Sequence, residues 1–95
     1  MVVGVLKLDL LIHGSHSLKQ KRSVVKSILG RCRVRFPVSC AEIGHQDLWQ
    51  RALVGFAVLE NSEASVHQIL QKVIEEVERI GLAEVCGQEI ELIHY

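Results

Sequence analysis

From Val2 to Ile12 apolar residues recur at alternate positions: Val2, Leu6, Leu8, Leu10 and Ile12 share one face, and Lys7 and Asp9 fall on the other. A period of two predicts a strand with one face buried and the other partly wet. After a small polar turn, Gly14 to Ser17, the period lengthens. Leu18, Val25, Leu29 and Cys32, flanked by Val24 and Ile28, gather on one side of a 3.6-residue wheel, which predicts a helix. Ser17 followed three residues later by Gln20 is a capping-box signature and sets the helix start. Gly30 weakens the last turns. Phe36-Pro37 ends them, because the residue before proline is biased out of the helical region.

Val38 to Gly44 reads as a short strand, and His45 to Arg51 as a polar connection rich in large side chains. Ala52 to Leu59 is apolar on both faces, the mark of a central strand. Asn61 or Ser62 caps a second helix that runs to about Ile80, with Val66, Ile69, Leu70, Val73, Val77 and Ile80 on one stripe. Gly81 stops it as a left-handed C-cap residue would. Glu89 to Tyr95 closes the chain as a strand, with Ile90 and Leu92 toward the core and Glu89 and Glu91 away from it. The expected architecture is one α+β domain over residues 1–95, a ferredoxin-like βαββαβ fold. Its four-stranded antiparallel sheet has the order 4-1-3-2 and both helices on one face. Strands one and four are then neighbours, which brings Lys7 opposite Glu89 or Glu91 on the open face.

Ninety-five residues, 48% of them hydrophobic and 23% charged, suffice for one modest core. The longest apolar runs fall far short of the ~20 residues of a membrane span, so a cytoplasmic protein without a membrane segment is expected. Cys32, Cys40 and Cys86 are odd in number and scattered, which argues for a reducing compartment and for small core residues rather than a disulfide framework. Net charge is zero, yet the halves differ. Up to Arg51 nine Lys/Arg face three acids, giving +6; from Ala52 onward two face eight Glu, giving −6. Such asymmetry suits a polyanion on the basic side or association between copies.

The basic charge concentrates in helix one, where seven Lys/Arg stand between Gly14 and Phe36 with no acid among them. Lys19, Arg22, Lys26 and Arg33 lie within about 60° of one another on the wheel, forming a ridge roughly opposite the apolar stripe. Lys21 points toward that stripe. Its stem either runs past the core edge with the ammonium in water or meets a carboxylate at the rim. Ser17, Lys19, Lys21, Arg22, Lys26 and Arg33 make up the candidate anion- or RNA-binding set, helped by the free N–H groups of the first helical turn. A second candidate ligand site comprises His16, His45, Asp47 and Trp49: His45 and Asp47 form a His-carboxylate pair of the kind used in acid-base chemistry. The bland alternative has Trp49 anchoring the hairpin. His13 and His16 form H-x-x-H without a further ligand, so neither a metal nor a cofactor is expected.

Two known uses of this topology fit poorly. RNA-binding sheets stack bases on aromatics of the central strands, and here strand one has none, strand three only Phe56, while Glu89 and Glu91 would repel phosphate. Acyl-phosphate hydrolases of this size use an arginine-bearing phosphate loop, absent from Gly14-Ser15-His16-Ser17. The hydrophobic residues Val3, Val5 and Leu11 on the uncovered face point instead to a second copy of the chain, a homodimer.

Ser17-Leu18-Lys19-Gln20-Lys21-Arg22 and Ala41-Glu42-Ile43-Gly44-His45-Gln46-Asp47-Leu48-Trp49-Gln50-Arg51-Ala52, together with the Met1-Val2-Val3-Gly4-Val5-Leu6 strand, resemble the YlxP-like family of small bacterial proteins of unknown function. The resemblance implies a ferredoxin-like fold. Genes of that family often lie beside those for ribosome-binding factor A and a translation initiation factor, which implies ribosome or RNA work and supplies no catalytic residues. Three functions follow as expectations: a non-enzymatic RNA- or ribosome-associated domain using the basic ridge, a small-molecule enzyme at the His/Asp pair, and a homodimeric docking module.

Overall fold

A computed structural model describes residues 1–95. The elements are β1 (Val2–Leu11), α1 (Leu18–Arg35), β2 (Ser39–Gly44), β3 (Arg51–Glu60), α2 (Glu63–Ile80) and β4 (Glu84–His94). All strand pairs are antiparallel and the sheet order is β2-β3-β1-β4, the expected order read from the other edge. β3, apolar on both faces, is indeed interior.

The core forms on the one face that both helices cover. Leu6, Leu8 and Leu10 of β1 and Val54, Phe56 and Val58 of β3 pack with Val25, Ile28 and Leu29 of α1 and with Val66, Leu70, Val73 and Val77 of α2. Complete burial of a Leu or Val side chain is worth roughly 1.5–3 kcal/mol, so these stripes supply most of the favourable energy. Gly4 lets α2 approach, because a Cβ at that position would run into Val66 Cγ1. Gly81 closes α2 at φ 73°, in the left-handed region.

β4 departs from the expectation. It begins at Glu84 rather than Glu89 and pairs with β1 along its whole length. Gly87 faces Asp9 while Val85 faces Leu10, so Cys86 is a bulge residue skipped by the register. One extra residue inverts the alternation: Ile90 and Leu92 share the core-facing phase with Val85 only because of the bulge, and the period therefore breaks before Glu89. Cys86 is also exposed; only Cys32 is the buried small residue expected of all three, Cys40 being half-buried. Lys7 does stand opposite Glu89 on the open face. No helix is long and apolar enough to cross a membrane.

Candidate functional site

α1 begins as its sequence dictates. Ser17, in extended conformation, accepts a hydrogen bond from Gln20 N–H on its side chain (3.1 Å), and Gln20 Oε1 reaches back to accept from His16 N–H (2.6 Å). One turn in, Lys21 leaves the surface altogether. Its side chain has no exposure to solvent. Nζ donates to Glu42 Oε2 at 2.7 Å and to the carbonyl oxygens of His45 at 2.8 Å and Gln46 at 3.2 Å, with the Arg51 carbonyl at 3.4 Å. Three N–H bonds are all an ammonium has, so every proton is occupied and the Arg51 oxygen takes a shared, longer approach.

The loop between β2 and β3 is shaped around that ammonium. His45 adopts φ 58°, a left-handed conformation that turns its carbonyl inward, and the same oxygen accepts from Leu48 N–H at 3.1 Å. At the far end Gln50 is held twice: its side-chain amide donates to the Ser15 carbonyl (3.2 Å) and its own carbonyl accepts from Ile12 N–H (2.8 Å). The turn before α1 and the β2–β3 loop therefore meet in space. What the loop shows to solvent is the side chains of His45, Gln46, Asp47, Leu48, Trp49 and Gln50, all exposed.

The candidate residues separate accordingly. Lys19, Arg22, Lys26 and Arg33 are exposed on the outer side of α1, and none of them forms an ion pair; Arg33 donates to the Cys40 carbonyl at 2.6 Å. Ser17 is engaged as the helix cap. Lys21 does not belong to the anion-binding set: its charge is enclosed and spent on Glu42 and loop carbonyls, so of the two readings of its orientation the carboxylate partner holds. No hydrogen bond or ion pair joins the side chains of His16, His45 and Asp47, and His45 acts through its backbone oxygen. Trp49 is 54% exposed, so it is not the buried hairpin anchor that its residue type suggests. His13 faces Glu84 (3.2 Å) rather than His16, and no three His, Cys, Asp or Glu side chains converge in a metal-binding cluster.

One acid of α2 reaches α1. Glu76, 6% exposed, takes a bidentate hydrogen bond from Arg79 (both oxygens at 2.7 Å) and lies 3.5 Å from Arg35. The Arg79 hydrogen bonds, then the nearby charges of Arg35, Arg79 and Arg31, hold its carboxyl below the usual carboxylate range against the opposing effect of burial. It offsets the C-terminal end of the basic helix, shares a depression with Lys26, and forms no ion pair with any residue of the ridge. Glu42 and Glu76 both escaped sequence reasoning. Each sits on an apolar phase of its element, Glu42 across from Val54 on β2 and Glu76 next to Val77, and a charge in such a place signals a buried partner.

Comparison with known proteins gives the following. Residues 3–90 match the family described as Protein of unknown function (DUF503). The Uncharacterized protein YlxP of Bacillus subtilis is 40% identical over 73 residues, covering 77% of this chain and 79% of that one. Two solved structures share the fold: Structural Genomics, protein YJCS (TM-score 0.56, 14% identity, 97% of this chain and 99% of that one) and the De novo designed protein Foldit4 (TM-score 0.52, 12% identity, 99% and 97%).

Two outcomes are expected from this geometry. Lys21→Met keeps the stem but strands a half-buried carboxylate and up to three carbonyls, and should cost about 3–5 kcal/mol in chemical denaturation, with Glu42→Gln in that background restoring part of the loss. A loss within experimental error would show the ammonium to be dispensable. Glu76→Gln should be less stable than the native chain at neutral pH. Because the native carboxyl titrates below its ordinary value of 4.5, its contribution is complete above that value and fades as pH falls through the depressed one. Thermal unfolding of the two proteins should therefore converge in acid, and a gap that stays constant with pH would contradict the assignment.

Proposed function

This chain belongs to the DUF503 family, and we propose that it is a non-enzymatic cytoplasmic domain that holds RNA, in a ribosomal setting, by phosphate contacts along the outer ridge of α1. The observation that carries this reading is the exposure of Lys19, Arg22, Lys26 and Arg33 on one side of a helix with no carboxylate paired to any of them. Cations near a helix N-terminus oppose the macrodipole, and Lys19 and Arg22 stand there without an acid in the first turn. An anionic partner turns that local penalty into affinity. The acids lie elsewhere: Glu63, Glu75 and Glu78 on the outside of α2, Glu89 and Glu91 on β4. Phosphate is thereby repelled from the sheet edge and drawn to the α1 flank.

A second reading, self-association through the open sheet face, is favoured by Leu59, 57% exposed, beside the half-buried Val3, Val5, Leu53 and Ala57. The two readings meet only at Arg33, which lines one depression with Val3, Ala57 and Leu59, whereas Lys19, Arg22 and Lys26 stand further up a helix on the covered face.

Filter binding of RNA at several salt concentrations tests the first. Replacing Lys19, Arg22 and Lys26 by Gln should weaken binding and flatten the dependence of log affinity on log salt by about 0.7–0.9 per phosphate contact removed. Binding that is absent at low salt, or unchanged in the triple variant, would sink the reading. Sedimentation equilibrium tests the second: a dimer mass for the native chain and a monomer mass for Leu59→Glu are expected, and a native chain monomeric at every concentration would dispose of it.

A further inference from the structure

We infer that Trp49 is a base-stacking site for single-stranded RNA at the end of the domain where the phosphate-binding ridge begins, an inference resting on the RNA reading above. Trp49 is the chain's one tryptophan, 54% exposed, with Leu48 beside it at 47%. A buried indole is among the largest apolar contributions a small core can have, and this one is left half in water.

The loop that presents it is nevertheless fixed. On one side of Trp49, Lys21 Nζ binds the carbonyls of His45 and Gln46, and the Leu48 N–H closes on His45 O. On the other, Gln50 is tied to Ser15 and Ile12. The ring therefore stands on a backbone ordered before any ligand arrives, and little conformational entropy remains to be lost on binding. The same bonds fix where it stands. Ser15 and Lys21 bracket the start of α1, so the loop lies at the end of the domain where that helix begins; Lys19 and Arg22 stand in the same first turns, on the outer side of the helix away from Lys21. Asp47, the loop's one carboxylate, is outnumbered by these two cations, and Glu42 is already neutralised by Lys21.

An exposed aromatic face and unpaired cations at one end of a domain form the combination that binds single strands, with a base on the ring and the phosphates of the same strand on the cations. Duplex RNA satisfies only half of it, since its bases are stacked on each other and its charge alone is available. The site thus takes unpaired nucleotides in preference to helices, and its selectivity among bases is low because every base offers a π face.

A single tryptophan makes the test direct. Intrinsic fluorescence of the full chain is followed during titration with oligouridylate, with an abasic ribose-phosphate oligomer of the same length, and with duplex RNA. Oligouridylate should quench Trp49; the abasic oligomer and the duplex should bind more weakly and leave the emission unchanged. Trp49→Ala should weaken oligouridylate binding by about 10-fold, with Trp49→Phe retaining most of the affinity and both keeping the native salt slope. Thermal unfolding verifies that both variants fold. Salt-dependent binding that neither quenches Trp49 nor responds to Trp49→Ala overturns the stacking site while leaving the ridge intact. No binding of any oligomer at low salt overturns both. Quenching that depends on protein concentration without RNA assigns the indole to a protein contact and likewise overturns the proposal.

Discussion

The structure depends on one ammonium group with no water around it. Removing a charge of that size from solvent costs several kcal/mol, and the cost is recovered only when a counter-charge and every proton find good partners. Lys21 meets this condition with Glu42 and with the carbonyl oxygens of His45, Gln46 and Arg51. The partners come from β2, the loop and the first residue of β3, so a single side chain of α1 fixes the relation between the helix and the β2–β3 hairpin. A hydrophobic residue in its place would leave Glu42 and the Gln46 carbonyl without this donor and the His45 carbonyl with only the Leu48 N–H.

This arrangement divides the basic helix into two functions. The cation on the inward phase is a strut, and those on the outward phase are free to meet solvent or a ligand. Composition counts them together, whereas the fold does not. Glu76 makes the same division on α2, where one acid is drawn inward to hold Arg79 and Arg35 and the remaining glutamates stay outside. Both enclosed charges settle element against element.

Most of the fold was legible because each element obeys its own period. β1, α1, β3 and α2 could be read from alternation or from the wheel; Ser17 and Gly81 marked helix boundaries where the caps are found, and of Asn61 and Ser62 it is Ser62 that caps α2. The first half of β4 was hidden by a single bulge residue, since pattern reading assumes an unbroken phase. The site was less legible. Lys21 stood out as a basic residue on an apolar stripe, but its partner lies 21 positions away and its other ligands are backbone oxygens, which carry no signature in a sequence. His45 was singled out for its imidazole, and its part in the structure is a carbonyl presented by a positive φ. Trp49 reads as a natural anchor by residue type; only the tight ties of Gln50 and His45 on either side explain how an indole can be held outward.

The segregation of charge has a kinetic side. With the cations gathered on α1 and the acids on α2 and β4, a neutral molecule feels little net pull toward a polyelectrolyte but a definite torque, which swings α1 forward before any surfaces touch. Encounters are then oriented without being enriched, the reverse of what a uniformly basic protein experiences. Because the torque acts through the field beyond the surface, it fades once the screening length shrinks to about 8 Å in physiological salt, and at such ionic strength orientation is gained only in the last step of approach.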